Sequence, residues 1–240
     1  MKILARGRKS IYDGSEWLVS IWRKKENAPK DGEPCGVGFH SLRVKNPLQS
    51  PVFKWPCEVW RDECRELLGK DNIKARYRKQ RIIEDITHRF PTIVSVNEFL
   101  DDIPKTKWFQ AQPPEDWMIV ENYPTVETAR TIVEEEGLQT AHNRYRAFNL
   151  STASLGENHF CCRTDAVNAV TDTLTKIPWI EYNDMLHMNW CAGGYAIALL
   201  VADLKIDTTW LCRWWKAWEL GYYPLFEKGD KLVVGKIATR

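Results

Sequence analysis

The sequence predicts an α+β fold, with a small strand-containing N-terminal part and a mostly helical, Trp-rich C-terminal part. Short apolar stretches separated by turn residues fill positions 1–60, which is typical of strands and loops. From position 164 onward, apolar residues recur at the spacing of amphipathic helices. The 240 residues include 12 tryptophans, whose large apolar area favours a packed core or an interface.

The composition is that of a folded protein rather than a disordered one. Hydrophobic residues make up 44% and charged residues 28% of the chain, and the net charge is only +2. The 7 cysteines fit no disulfide scaffold, so we expect reduced thiols and a cytoplasmic location. The uncharged run 190–202 is shorter than the ~20 residues of a bilayer-spanning helix, so we expect no membrane partner.

The N-terminal half divides into strands and loops followed by helical patterns. Residues 1–5 form a short apolar stretch. Residues 57–68 show helical spacing, and Gly69 is a plausible C-terminal stop for that helix. Residues 70–89 favour a helix, or a strand turning into a helix, with a basic exposed side. A Pro-rich connector over 104–124 then predicts a domain boundary, with residues 1–103 on one side and residues 104–240 on the other.

The C-terminal half predicts a series of helices and a closing hairpin. Thr125, Thr164 and Asp207 are candidate capping residues. Helices are expected over 125–137 and 140–148, from Thr164 to Ile177, over 195–204, and from Asp207 to Gly221. A loop is expected over 150–159, and a hairpin over 222–226 and 231–234 around Gly229-Asp230.

Residues 200–214 resemble a helix-turn-helix. A helix, a short turn, the capping Asp207 and a second helix bearing a tryptophan stripe follow one another. In that family the second helix enters the major groove. The resemblance places Thr208, Thr209, Cys212, Arg213 and Lys216 against DNA, with Arg213 reading guanine and Lys216 binding phosphate. Lys205 occupies the place where the turn usually holds glycine, and two packed core helices are the alternative interpretation.

A second resemblance covers residues 1–85. Cys35-Gly36-Val37-Gly38-Phe39-His40-Ser41, Glu58-Val59-Trp60-Arg61 and Lys74-Ala75-Arg76-Tyr77-Arg78 resemble an uncharacterised domain of phages and bacteria, which has a strand where 57–68 show helical spacing. The resemblance implies a phage or mobile-element origin and no particular activity. The Gly-His element followed by a strand also resembles ADP-ribosyltransferase-type folds, in which it lines a nicotinamide pocket. The alternative is that His40 is a hydrogen-bonded histidine at a strand start.

The basic run in 70–89 is a candidate nucleic-acid contact. Such a stripe could neutralise phosphates, although a solvated charged face would show the same pattern. The residues expected to bind are Lys74, Arg76, Arg78 and Arg81.

Two His–Cys pairs are a candidate zinc site. His159 with Cys162, and His187 with Cys191, could supply four tetrahedral ligands, although neither pair has the usual spacing. Buried cysteines acting as small hydrophobes are the alternative.

Three function classes stay open from the sequence. The preferred one is a non-catalytic binding protein that acts on nucleic acid or a host protein through basic and aromatic surfaces. The second is an enzyme, either ADP-ribosyltransferase-like around His40 or zinc-dependent around His159 and His187. The third is a structural subunit whose tryptophans form an interface. The sequence contains no phosphate-binding loop, no Gly-x-Ser-x-Gly motif and no His-Glu-x-x-His motif.

Overall fold

The computed structural model describes residues 1–106, 109, 117–120, 160–177, 182–204, 206–219, 222–228 and 231–237. For 117–120, 160–161, 182–190, 203, 210, 213–214, 217, 222–228 and 231–237 it describes the backbone alone. The chain divides into two compact units. The first contains Met1–Asn97 and Gly156–Asp165, and the second contains Glu98–Leu155 and Ala166–Arg240.

The first unit is built on a five-stranded antiparallel sheet. Strand β4 pairs with β1 on one side and with β5 on the other, and β5 also pairs with β2 and β3. A tight turn joins β4 to β5, and in it Asp71 Oδ1 accepts hydrogen bonds from the backbone N–H groups of Ile73 and Lys74, each at 2.7 Å. The strands are β1 Lys2–Ala5, β2 Arg23–Lys24, β3 Phe39–Leu42, β4 Cys57–Lys70 and β5 Lys74–Asp85.

The helix expected over 57–68 is wrong, because these residues belong to strand β4. The pairing of β4 with β5 shifts register between Arg61 and Asp62 and again between Leu67 and Gly69. The first shift leaves Ile83 as an extra residue in β5, and the second leaves Leu68 as an extra residue in β4. Leu67, on the predicted helical face, is exposed, so that face is not a buried one. The buried residues of β4 are Cys57, Val59, Trp60, Leu68 and Gly69. Gly69 lies within the strand and ends no helix.

For 70–89 the sequence predicts a helix, or a strand turning into a helix, and the structure shows the strand without an α-helix inside the segment. Strand β5 runs to Asp85 and is followed by a 3-10 turn, Thr87–Arg89. The next helix, α1, covers Pro91–Asp102, a helix that is absent from the sequence-based prediction. Its buried residues are Ile93, Val96, Phe99 and Leu100.

The core of the first unit lies under the sheet around Trp17. Leu4, Phe39, Trp60 and Ile82 are buried with it in one hydrophobic cluster. The rings of Trp17 and Phe39 pack edge to face with their centroids 5.4 Å apart.

Segment 160–165 joins the first unit through Trp55. The indole Nε1 donates to the carbonyl oxygen of Cys162 at 2.8 Å, and the backbone N–H of Trp55 donates to Asp165 Oδ2 at 2.6 Å. A buried indole N–H needs such an acceptor, so these bonds fix the segment.

The second unit contains helices and a three-stranded sheet. Strand β6, Trp117–Val120, pairs antiparallel with β8, Lys231–Ile237, which also pairs antiparallel with β7, Tyr222–Lys228. The predicted closing hairpin is confirmed by β7 and β8, while Gly229-Asp230 lies outside the described residues. The helices that follow α1 are α2 Phe160–Leu174, α3 Tyr182–Leu200 and α4 Thr209–Glu219.

The predicted helix starts differ from the observed ones. Helix α2 begins at Phe160, before the predicted cap Thr164, and α3 begins at Tyr182, well before the predicted start at 195. The predicted start of α4 is confirmed, because Asp207 Oδ1 accepts a hydrogen bond from the backbone N–H of Thr209 at 3.0 Å. The predictions for 125–137, 140–148, 150–159 and Gly221 lie outside the described residues.

Aromatic side chains contribute to the core of the second unit. Phe99 packs edge to face against Tyr195 and Trp215, at centroid distances of 5.0 and 4.7 Å. Trp215 stacks on Trp218 at 5.0 Å, and both indoles are buried. The described sheets and helices together make the chain an α+β protein. None of the helices in the described portion of the chain combines the length and apolar character needed to cross a bilayer.

Candidate functional site

A cavity of about 470 Å³ in the first unit is the candidate site, and it is called the first-unit cavity below. Its volume lies in the range of small-molecule pockets in proteins. The segment from Cys35 to His40, singled out in the sequence for its resemblances, contributes to the lining. Strands β1, β2 and β5 also contribute to the lining, so part of the cavity wall belongs to the sheet.

Positive charge dominates the lining of the cavity. Lys2, Arg23, Lys25 and Lys74 line it, against a single carboxylate, that of Asp13. Among the described residues, no carboxylate lies within ion-pair distance of the side chains of Lys25 and Lys74. Unpaired cations gathered in a concave site produce a local potential that attracts anions.

The carboxylate of Asp13 belongs to a short hydrogen-bonded chain. Ser15 donates to Asp13 Oδ1 from its hydroxyl at 2.7 Å and from its backbone N–H at 3.1 Å. Hydrogen bonds from Ser15 and Ser10 lower the pKa of Asp13 to about 2. Both terminal nitrogens of Arg23 donate to Ser15 Oγ at 3.0 Å, so this chain orients the guanidinium.

The ring of Trp17 supports two of the cations. Lys2 Nζ lies 4.6 Å and Arg23 Cζ lies 4.7 Å from the ring centroid, which is cation–π distance. Lys2 Nζ also donates to the carbonyl oxygen of His40 at 3.2 Å. Burial lowers the pKa of Lys2 to about 8, which leaves the ammonium mostly protonated at neutral pH.

His40 is neutral and has one unused ring nitrogen. Burial, then the charges of Lys74, Lys2 and Arg76, lower the pKa of His40 to about 4. Its Nε2 is buried and has no hydrogen-bond partner among the described residues. The ring of Tyr12 lies 5.8 Å away, tilted by 43°. The alternative of a fully hydrogen-bonded histidine therefore does not hold for Nε2.

Arg76 holds the loop that carries the Cys35–His40 segment. Its guanidinium is fully buried and donates to the carbonyl oxygens of Glu33, Val37 and Pro29, at 3.0, 3.0 and 3.3 Å, and it pairs with Asp31. A phosphate in solvent cannot reach a guanidinium that is buried in this way. The expected exposed basic side is therefore wrong at Arg76, which supports the cavity wall from behind.

Gly38 allows this loop to approach Arg76. Its φ is +149°, and a Cβ atom there would lie 2.7 Å from Arg76 Cγ. Only glycine fits both the backbone conformation and the short distance.

The other basic residues of β5 pair across the sheet with acids of β4. Arg81 binds Glu63 at 2.6 Å, Lys79 binds Glu66 at 2.6 Å, and Arg78 lies 3.5 Å from Glu66. Cross-strand pairing neutralises most of the stripe that the sequence suggested. Lys74 differs, because it lines the first-unit cavity.

Helix α4 presents some of the surface predicted to contact DNA. Thr209 and Lys216 are exposed, and Thr208 is half-buried, while the side chain of Arg213 lies outside the described residues. Lys216 Nζ lies 3.3 Å from Glu219 Oε2. The connection between α3 and α4 covers 201–208 and includes a 3-10 turn, which is longer than the three- to four-residue turn of a helix-turn-helix.

The predicted zinc ligands are only partly described. Cys162 and Cys191 are buried, and burial raises the pKa of Cys191 to about 12, which disfavours the thiolate that zinc binds. His159 and the side chain of His187 lie outside the described residues. Within the residues that the structure describes, no three His, Cys, Asp or Glu side chains cluster as a metal site would require.

The chain matches no protein-family model, no curated protein and no solved structure. The resemblances of 1–85 and of 200–214 therefore stay predictions.

Sequence patterns missed most of the cavity. Lys2, Tyr12, Asp13 and Arg23 come from separate stretches of the first thirty residues, and only folding gathers them. The available signal was the excess of Lys and Arg over Asp and Glu in 1–30, which does not specify a shared cavity.

Proposed function

We propose that this chain is a non-catalytic binding protein for nucleic acid and that the first-unit cavity holds the phosphate. The observation that carries the proposal is the set of four cationic side chains facing one carboxylate in a single cavity. Lys and Arg side chains that contact phosphate supply most of the affinity of proteins for nucleic acid. A phage or mobile-element origin and a cytoplasmic location belong to the same proposal.

The distribution of ion pairs favours the cavity over the two surfaces predicted from sequence. Arg78, Lys79 and Arg81 are paired with acids of the neighbouring strand, and Lys216 is paired with Glu219. A paired cation must give up its partner before it gains a phosphate, so it contributes less net affinity.

Lys25→Met is expected to weaken the binding of a labelled single-stranded oligonucleotide about tenfold at ~50 mM salt, because a charge-assisted phosphate contact is lost. The slope of log affinity against log salt should become shallower by about one. Fluorescence anisotropy at ~50 and ~200 mM salt measures both quantities.

The neighbouring Lys24→Met is the matched control. Lys24 is exposed and bound to Glu26 at 2.8 Å, and it does not line the cavity, so its loss should leave affinity unchanged. Lys216→Met tests helix α4 in the same assay. If Lys216→Met loses binding and Lys25→Met keeps the affinity of the parent protein, the interface lies on α4 and the cavity proposal is contradicted.

Oligonucleotide affinity is also expected to depend on pH through Lys2. The pKa of Lys2 in the free protein is lowered to about 8 by burial, and a bound phosphate would raise it because it favours the charged form. Affinity should therefore be level below pH 8 and fall as pH rises above it, by at most about tenfold per pH unit. His40 contributes nothing in this window, because its pKa is lowered to about 4.

Anisotropy titrations between pH 6.5 and pH 9.5 measure this dependence. Lys2→Met should bind more weakly and lose the fall above pH 8. A fall of the same size in Lys2→Met would assign the titration to another group.

A nucleotide-handling enzyme is the second candidate, and the observation that favours it is the neutral His40 with an unused Nε2 in the same cavity. Incubation with NAD separates the two functions. Release of nicotinamide that His40→Ala abolishes would establish the enzyme, whereas binding without release would support the binding protein.

A further inference from the structure

We infer that the first-unit cavity seats a single nucleotide that carries a phosphomonoester, either the terminal nucleotide of a strand or a free mononucleotide. The inference rests on the proposed function and goes further by specifying that the ligand is one nucleotide. Three features of the cavity support it: its size, the concentration of its charge and one exposed aromatic ring.

The size of the cavity suits one nucleotide. About 470 Å³ is near the lower end of the range for small-molecule pockets. A protein that binds several successive nucleotides uses an extended groove with a row of aromatic side chains along it. Lys2, Lys25 and Lys74 instead line one compact cavity.

The concentration of charge suits a phosphomonoester better than a diester. A monoester carries nearly two negative charges and three strong acceptor oxygens, whereas each diester in a strand carries one charge. Lys2 Nζ and Arg23 Cζ lie 4.6 and 4.7 Å from the centroid of the same Trp17 ring, and Lys25 and Lys74 line the same cavity. Their mutual repulsion is best relieved by a dianion.

Tyr12 supplies a surface for the base. Its side chain is 59% exposed although it lines the cavity. An exposed aromatic face stacks on any nucleobase with little sequence preference. The imidazole of His40, which also lines the cavity, lies 5.8 Å from the Tyr12 ring.

Tyr12→Ala is expected to weaken the binding of AMP about tenfold, because one stacking contact is lost, and to leave the affinity for inorganic phosphate unchanged. Isothermal titration of the full chain with each ligand measures the two effects separately. Tyr12→Phe, which keeps the aromatic face, should bind AMP as the parent does. Since Tyr12 is exposed, neither substitution should impair folding.

The parent protein is titrated with AMP, adenosine and inorganic phosphate under the same conditions. AMP binding at least tenfold tighter than either fragment, and sensitive to Tyr12→Ala, supports the inference. Equal affinities for AMP and phosphate would contradict the inference and leave the proposed function standing. Oligonucleotide binding that depends on Lys25, without binding of AMP, would also contradict the inference and leave the proposed function standing. No binding of oligonucleotide, AMP or phosphate at ~50 mM salt would remove the proposed function itself.

Two oligonucleotides of identical sequence distinguish the sources of the phosphomonoester. Tighter binding of the 5′-phosphorylated strand than of the 5′-hydroxyl strand would identify a strand end. Equal binding of the two strands, together with tight binding of AMP, would identify a free mononucleotide.

Discussion

Gly69→Ala is expected to destabilise the first unit by about 3 kcal/mol, because the added methyl group has no space. A Cβ atom at position 69 would overlap the carbonyl group of Glu33 and the carbonyl oxygen of Gly32. These are backbone atoms and cannot rotate away as a flexible side chain would. Strand β4 and the loop at Gly32 must therefore separate, which breaks the hydrogen bond from Gly32 N–H to the carbonyl oxygen of Leu68 at 3.1 Å.

Urea unfolding of the parent and the variant measures the loss. Gly7→Ala is the control, because Gly7 has a φ of +74° and nothing lies within 4 Å of its added Cβ. Its expected destabilisation is only about 1 kcal/mol, the ordinary effect of a left-handed backbone conformation in alanine. Equal stabilities of Gly69→Ala and Gly7→Ala would show that the close approach at Gly69 is absent in solution.

The sequence predicts the class of fold better than the type of each element. The α+β class, the strand at 2–5, helix α4 and the closing hairpin follow from local signals such as the Asp207 cap. Strand β4 does not, because its buried and exposed residues do not alternate and an extra residue, Leu68, interrupts its pairing with β5.

Helix α1 differs from strand β4, because the sequence contains local signals for this helix. Pro91 at the first position sets the backbone angle of a helix start. Ile93, Val96, Leu100 and Ile103 follow at three- and four-residue intervals, and all four are buried. A helix at this place was therefore predictable from its first residue and its period.

The candidate site was predictable only where its residues are adjacent in sequence. The Cys35–His40 segment stood out because its residues form a recognisable string, and it lines the cavity. The sequence does not distinguish the ion-paired basic residues of β5 from the unpaired ones. Pairing with Glu63 and Glu66 depends on the register of two strands. That register makes Arg81 an ion-pair partner and leaves Lys74 at the cavity.

Arg76→Met is expected to destabilise the first unit by about 3 kcal/mol, because three backbone carbonyl groups lose their buried donor. The partly exposed pair with Asp31 adds little to this value. The same substitution should reduce affinity for inorganic phosphate, since the loop that Arg76 holds carries Gly36 and Val37 into the cavity lining. Amide hydrogen exchange over 29–38 should rise more than exchange in strand β1.

Arg76→Lys separates charge from geometry. An ammonium keeps the charge but lacks the planar fork that reaches several carbonyl groups at once, so we expect an intermediate loss of stability. Gly69 and Arg76 are register partners in the sheet, and the loop at 29–37 lies against both. The Gly69 and Arg76 substitutions should therefore raise exchange in the same loop. Unchanged exchange in Arg76→Met, with lowered phosphate affinity, would instead mean that the guanidinium acts on the ligand itself.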